Sequence, residues 1–97
     1  MGGYSKSDLL QFNEGQLSEM IGIMEEIHDK MVASKNSYDD YVANQLSPVW
    51  TTDNGKKSVS DLQSFSEQDI QGFINYINSR ISDLNSALEN VKNINIA

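Results

Sequence analysis

The sequence predicts an all-α chain: an antiparallel two-helix hairpin (helix-turn-helix), pairing into a four-helix bundle as a dimer. Three observations predict this. Apolar residues recur at spacings of three and four along almost the whole length. One segment, Leu46-Ser-Pro-Val-Trp-Thr-Thr-Asp-Asn-Gly55, interrupts the pattern near the midpoint and carries the only Pro and the only Trp. Each apolar stripe is wider than one helix–helix seam requires, so two helices alone leave apolar surface for further neighbours.

The first helix is expected over about 7–46. Leu10, Leu17, Met24, Met31 and Tyr38 occupy one heptad position, and Met20, Ile27 and Tyr41 a second. Ile21, His28 and Val42 widen the stripe on one flank, while Asn13, Ser34 and Gln45 interrupt the seam. A seven-residue repeat held this long implies a coiled-coil-like packing partner. Ser7 or Asp8 is the expected N-cap. Pro48 is expected to end the helix, because it donates no backbone hydrogen bond and its ring disfavours helical geometry at Ser47.

The turn is expected over 47–53 and the second helix over about 54–91, capped by Thr52 or Asp53. Its stripe is Val59, Leu62, Phe65, Ile70, Phe73, Ile74, Ile77, Ile81, Leu84, Leu88 and Val91. The tail 92–97 is expected to be frayed or extended. No composition shift marks a second domain, so 1–97 is read as one. Gly15, Gly22 and Gly72 each lower helix propensity by about 1 kcal/mol relative to Ala. Close approach by another backbone would account for them, and so would local flexibility.

The formal charge of −7 lies mostly on the first half of the chain. Such a chain repels nucleic-acid backbones and anionic membrane surfaces. No apolar run reaches the length of a membrane span. The chain has no cysteine, which excludes disulfides and thiolate metal sites. The N-terminal residues lack a basic region followed by an apolar run, so no Sec signal peptide is expected. Gly2 after Met1 is not read as a lipid anchor, since nothing basic supports it.

No catalytic activity and no cofactor are expected. A nucleophile–base arrangement would depend on His28 alone. Glu25-x-x-His28 has the spacing of di-iron bundles, but Glu25 lies beside the seam, and a satisfied flank histidine is the simpler reading. The expected packing and partner surface is Leu17, Met20, Met24, Ile27 and Met31 with Ile70, Phe73, Ile77, Ile81 and Leu84. Methionines on that surface adapt to irregular partners, or act as ordinary core filler.

Two long helices about a central Trp-and-Gly bend, in a chain near one hundred residues, resemble the WXG100, or ESAT-6-like, superfamily. The resemblance covers nearly the whole chain and rests on architecture more than on motif. The family signature is Trp-x-Gly, whereas here Thr51 and Thr52 follow Trp50 and the nearest glycine is Gly55. The resemblance implies that Trp50 plugs the bend and that Gly55 lets the second helix pass close to it. It implies handling by a type VII secretion system: cytoplasmic before export, secreted without a Sec signal, and engaged by the system's ATPase.

Family members or their partners often carry a Tyr-x-x-x-Asp/Glu export signal after the second helix. Residues 91–97 hold none, but Phe65-x-x-x-Asp69 and Tyr4-x-x-x-Asp8 have related spacing. The former looks like the aromatic–acid motif of WXG-like proteins that partner LXG toxins. The implied partner is a second copy, another small WXG100-like protein, or the N-terminal helical region of an LXG toxin. The chain is then either exported cargo or a targeting partner. A structural coiled-coil module unrelated to secretion predicts the same helices without any need for Trp50 at the bend. A metal-binding bundle using Glu25 and His28 is the remote alternative.

Overall fold

The computed structural model describes the backbone of residues 6–96 and the side chains of residues 13–94. The described chain is all-α. Helix α1 (Lys6–Tyr41) runs into a π-turn at Val42–Leu46. After the bend, α2 (Asp53–Phe65) leads through a second π-turn at Ser66–Ile70 into α3 (Gln71–Ile96). Two compact units result: an end unit, Met1–Ile27 with Ile77–Ala97, and a bend unit, His28–Tyr76. Within each, the outgoing and returning helices pack antiparallel. In the bend unit Tyr38 meets Leu62 and Phe65. In the end unit Leu17 and Met20 line one groove with Val91.

The seam explains both π-turns. On α1 the buried or half-buried positions include Leu17, Ile21, Met24, His28, Met31, Lys35, Tyr38 and Val42, alternating by four and three. The next heptad position is Gln45, which is exposed, and Leu46 is turned inward instead. A π-turn takes one extra residue into a helical turn. Here Ser47 N–H donates to the Val42 carbonyl at 2.9 Å, a bond five residues back. The second helix repeats the device. Val59, Leu62 and Ser66 follow the seam, Asp69 comes next in phase and is exposed, and Ile70 takes its place. From there Ile74, Ile77, Ile81, Leu84, Leu88 and Val91 resume the alternation. Each fully buried aliphatic contributes roughly 1.5–3 kcal/mol. Keeping Ile74 and Ile77 at 3% and 5% exposure therefore offsets the irregular turn at Ser66–Ile70.

Several expectations are corrected. The second α1 seam position is Ile21, His28, Lys35 and Val42, rather than Met20, Ile27 and Tyr41. Ile21 and Val42 are buried, while Met20, Ile27 and Tyr41 are 49%, 37% and 56% exposed. Lys35 reaches the seam because its aliphatic stem packs while its ammonium finds Asp39. On the second helix Phe65 and Phe73 lie on an exposed flank, not in the seam. The tail is helical to Ile96, carried on by the same spacing through Val91. Ser7 and Asp8 have helical backbone within α1, so neither is its N-cap.

At the bend, Ser47 keeps helical geometry (φ −55°, ψ −43°) directly before Pro48. The helix stops because Pro48 offers no N–H, not because Ser47 leaves the helical region. Val49 and Trp50 N–H both donate to the Leu46 carbonyl, at 3.1 and 2.9 Å, and close the last turn. Gly15, Gly22 and Gly72 have nothing within 4 Å of an added Cβ, so among the described residues no facing backbone approaches them closely.

Single deletions in the returning helix should have opposite consequences on the two sides of the phase break. Removing Gln68 places Ile70 three residues after Ser66 and restores a regular heptad, so the π-turn should become α-helix. The thermal midpoint should shift by the equivalent of about 1 kcal/mol or less. Removing Asn75 instead rotates Ile77 and everything beyond it off the seam and should cost at least about 3 kcal/mol. Paired melts followed by circular dichroism test this; equal losses would show that the π-turn has another cause.

Candidate functional site

The bend is built around one contact. Thr52, in extended geometry, caps α2: its Oγ1 accepts from Gly55 N–H at 3.0 Å, and its carbonyl accepts from Lys56 N–H at 2.8 Å. That cap aims the first turn of α2 back at the indole of Trp50. A Cβ built on Gly55 would lie 2.7 Å from Trp50 Cγ and 2.8 Å from its Nε1. Gly55 is buried and Trp50 is 41% exposed. The ring thus covers the glycine with one face and leaves part of its surface to solvent. A cleft of about 300 Å³ opens beside it, lined by Ser47, Lys56, Val59, Ser60 and Gln63.

A polar node fastens the bend unit about three turns along the returning helix from Gly55. Ser66, 1% exposed, is the buried polar residue among those described. Its hydroxyl donates to Asp39 Oδ1, and Lys35 Nζ donates to Asp39 Oδ2 at 2.9 Å. The neighbouring Tyr38 hydroxyl donates to the Leu62 carbonyl at 2.8 Å, and its ring packs on Phe65 with centroids 6.3 Å apart. Sequence reasoning missed this node. The available signals were a small hydroxyl at a seam position, four residues after Leu62, and a Lys35/Asp39 pair one turn apart. The Ser66 hydroxyl, then the Lys35 ammonium, hold the Asp39 carboxyl below the ordinary aspartate value.

The structure brings Trp50 and Gly55 together. Of the packing residues, Ile77 is buried against its own chain. Leu17, Met24, Met31, Ile70, Ile81 and Leu84 are half-buried, and Met20, Ile27 and Phe73 are exposed. Phe65 and Asp69 are both exposed on the returning side of the bend unit, Phe65 at the end of α2 and Asp69 inside the π-turn. Tyr4 and the Asp8 side chain lie outside the described residues. His28 Nδ1 sits 3.2 Å from Asp29 Oδ1, and Glu25 is exposed. Among the described residues no cluster of three His, Asp or Glu stands ready for a metal ion. No helix among them is long and apolar enough to cross a membrane. No protein-family model, curated protein or solved structure matches the chain.

Two predictions follow from this geometry. Gly55→Ala should destabilise the fold by about 1–3 kcal/mol through overlap with the indole. In a Trp50→Ala background the same change should be neutral or stabilising by up to about 1 kcal/mol, because only helix propensity remains. A double-mutant cycle by urea melts reads the sign change; the same cost in both backgrounds would dismiss the contact. Asp39 has a depressed folded pKa, so its stabilising contribution is full above the ordinary value near ~3.9. It is lost as pH falls through the lower folded value. Asp39→Asn should therefore flatten the stability profile below about pH 4, measured as thermal midpoint against pH; an unchanged profile would remove Asp39 from the acid response.

Proposed function

We propose that this chain is a WXG100-like protein of a Gram-positive type VII secretion system. It acts by helix–helix pairing rather than by catalysis. It is either exported cargo or the targeting partner of a larger LXG-type toxin, and it reaches the system's ATPase without a Sec signal. The observation that carries the reading is the stacking of Trp50 on Gly55 at a bend between two long antiparallel helices. The Trp-x-Gly order is absent, yet the large ring still meets a glycine at the entry to the returning helix.

Unpartnered apolar surface supports pairing. In the end unit Met20 and Ile23 are 49% and 51% exposed and line an open groove with Gln16 and Glu19. In the bend unit Tyr41 and Phe73 are 56% and 45% exposed. A second hairpin laid on such faces makes a four-helix bundle. The partner is a second copy, another small WXG100-like protein, or the helical N-terminal region of a toxin.

The test is export of the tagged chain from a host with an intact type VII system and from one lacking its ATPase. Export should require the ATPase. Trp50→Ala should reduce it several-fold while helicity by circular dichroism stays nearly unchanged. Equal appearance outside both hosts sinks the secretion reading and leaves a structural coiled-coil module. Light scattering across a dilution series then separates the pairing modes: a mass near twice 10.9 kDa favours self-pairing, and a monomer favours a different chain.

A further inference from the structure

The second helix of the bend unit carries a line of alternating acid and aromatic residues: Asp61, Phe65, Asp69 and Phe73, each four residues after the last. In an unbroken α-helix, spacing by four drifts roughly 40° per step. Over three steps such a line would wind from the flank into the seam. The π-turn at Ser66–Ile70 lies within this line and takes up the extra residue. All four residues consequently stay on one exposed flank, with Phe65 and Phe73 at 48% and 45% exposure.

Among the described residues neither Asp61 nor Asp69 has a side-chain partner, unlike Asp39 and Asp83, which are held by Lys35 and Arg80. From residue 58 to residue 79 the sequence contains no Lys or Arg. The flank therefore presents apolar rings and uncompensated negative charge together. Tyr38, packed against Phe65, extends the aromatic surface onto the facing helix.

We propose that this acid–aromatic line is a docking face for an amphipathic helix of another protein that carries basic side chains along its apolar stripe. Phe65 and Phe73 receive the partner's apolar residues. Asp61 and Asp69, about 12 Å apart along the helix, receive its Lys or Arg side chains, whose cations also favour the neighbouring ring faces. Charge complementarity selects this occupant over a second copy, because a chain of net charge −7 brings mostly carboxylates to such a face. The inference names the partner chemistry for the pairing proposed above and rests on that reading only for the existence of a partner.

The experiment uses the full chain and two synthetic amphipathic peptides of about sixteen residues. Both carry leucines on one face. One has two lysines eight positions apart beside that face; the other has glutamates there. Fluorescence anisotropy of the labelled peptides reads binding. The lysine peptide should bind and the glutamate peptide should not. The double variant Asp61→Asn/Asp69→Asn should weaken binding about threefold to tenfold and flatten its salt dependence. The control Glu67→Gln/Glu89→Gln removes the same charge off the line and should change affinity by no more than about twofold. Phe65→Ala should weaken binding at least as much as the aspartate pair, with circular dichroism confirming the helices.

Failure of both peptides to bind overturns the proposal. So does equal binding of the two, or an equal loss in the control variant. A self-dimer of the chain that Phe73→Ala abolishes would assign the face to a second copy and overturn it as well. Export and peptide binding are read separately, so loss of the secretion reading leaves this result interpretable, and the reverse holds too.

Discussion

The seven-residue phase of the two seams is the constraint on which the remaining structure depends. Two helices can share a continuous strip of apolar side chains only while both sequences keep step with 3.5 residues per turn. On the outgoing helix the step fails at Gln45, and on the returning helix at Asp69. Burying an unpaired amide or carboxylate costs more than distorting one turn. Each helix therefore admits one additional residue, and the apolar strip resumes at Leu46 and Ile70. Both adjustments fall inside the bend unit, where Trp50 and the Asp39–Ser66 node also lie.

The node complements the phase correction. A purely aliphatic seam specifies neither its register nor its partner strongly, because many apolar registers have similar energy. A buried serine must find a hydrogen-bond partner, and Asp39 offers one to Ser66. Tyr38, one residue earlier, ties its hydroxyl to the carbonyl one turn before Ser66. These two bonds fix which turn of the outgoing helix faces which turn of the returning one, just ahead of the irregular turn. The bend supplies a second fix through the indole over Gly55. Slippage by one heptad would break both.

The helical class, the place of the bend and the inward heptad of Leu17, Met24, Met31 and Tyr38 were legible in the sequence. The spacing is regular there, and Pro48 punctuates it. The companion seam position was not. Met20, Ile27 and Tyr41 are more apolar than His28 and Lys35, so ranking by residue type favours the wrong set. The structure buries the stems of His28 and Lys35 because they lie between the inward residues, and their polar ends reach Asp29 and Asp39. The π-turns escaped for a related reason: Phe65 and Phe73 extend the apolar pattern across the phase break and mask it. Only the exposed Asp69 beside the half-buried Ile70 reveals the skipped residue. The node was hidden because a serine in an apolar stripe reads as an interruption until its partner is known.

The position of the single tryptophan has an optical consequence. Trp50 lies in the bend unit, against Gly55 and partly open to water, and there is no second indole to dilute its signal. Its emission therefore reports one locality: separation of the ring from the glycine would move it toward the spectrum of a fully hydrated indole. Far-ultraviolet dichroism, by contrast, weighs every helical peptide bond along α1, α2 and α3. The two signals divide the molecule without any added label. If they trace a single curve on heating, the bend and the free ends of the hairpin lose structure as one cooperative body. If they separate, the chain contains two melting units along the boundary near Ile27 and Ile77.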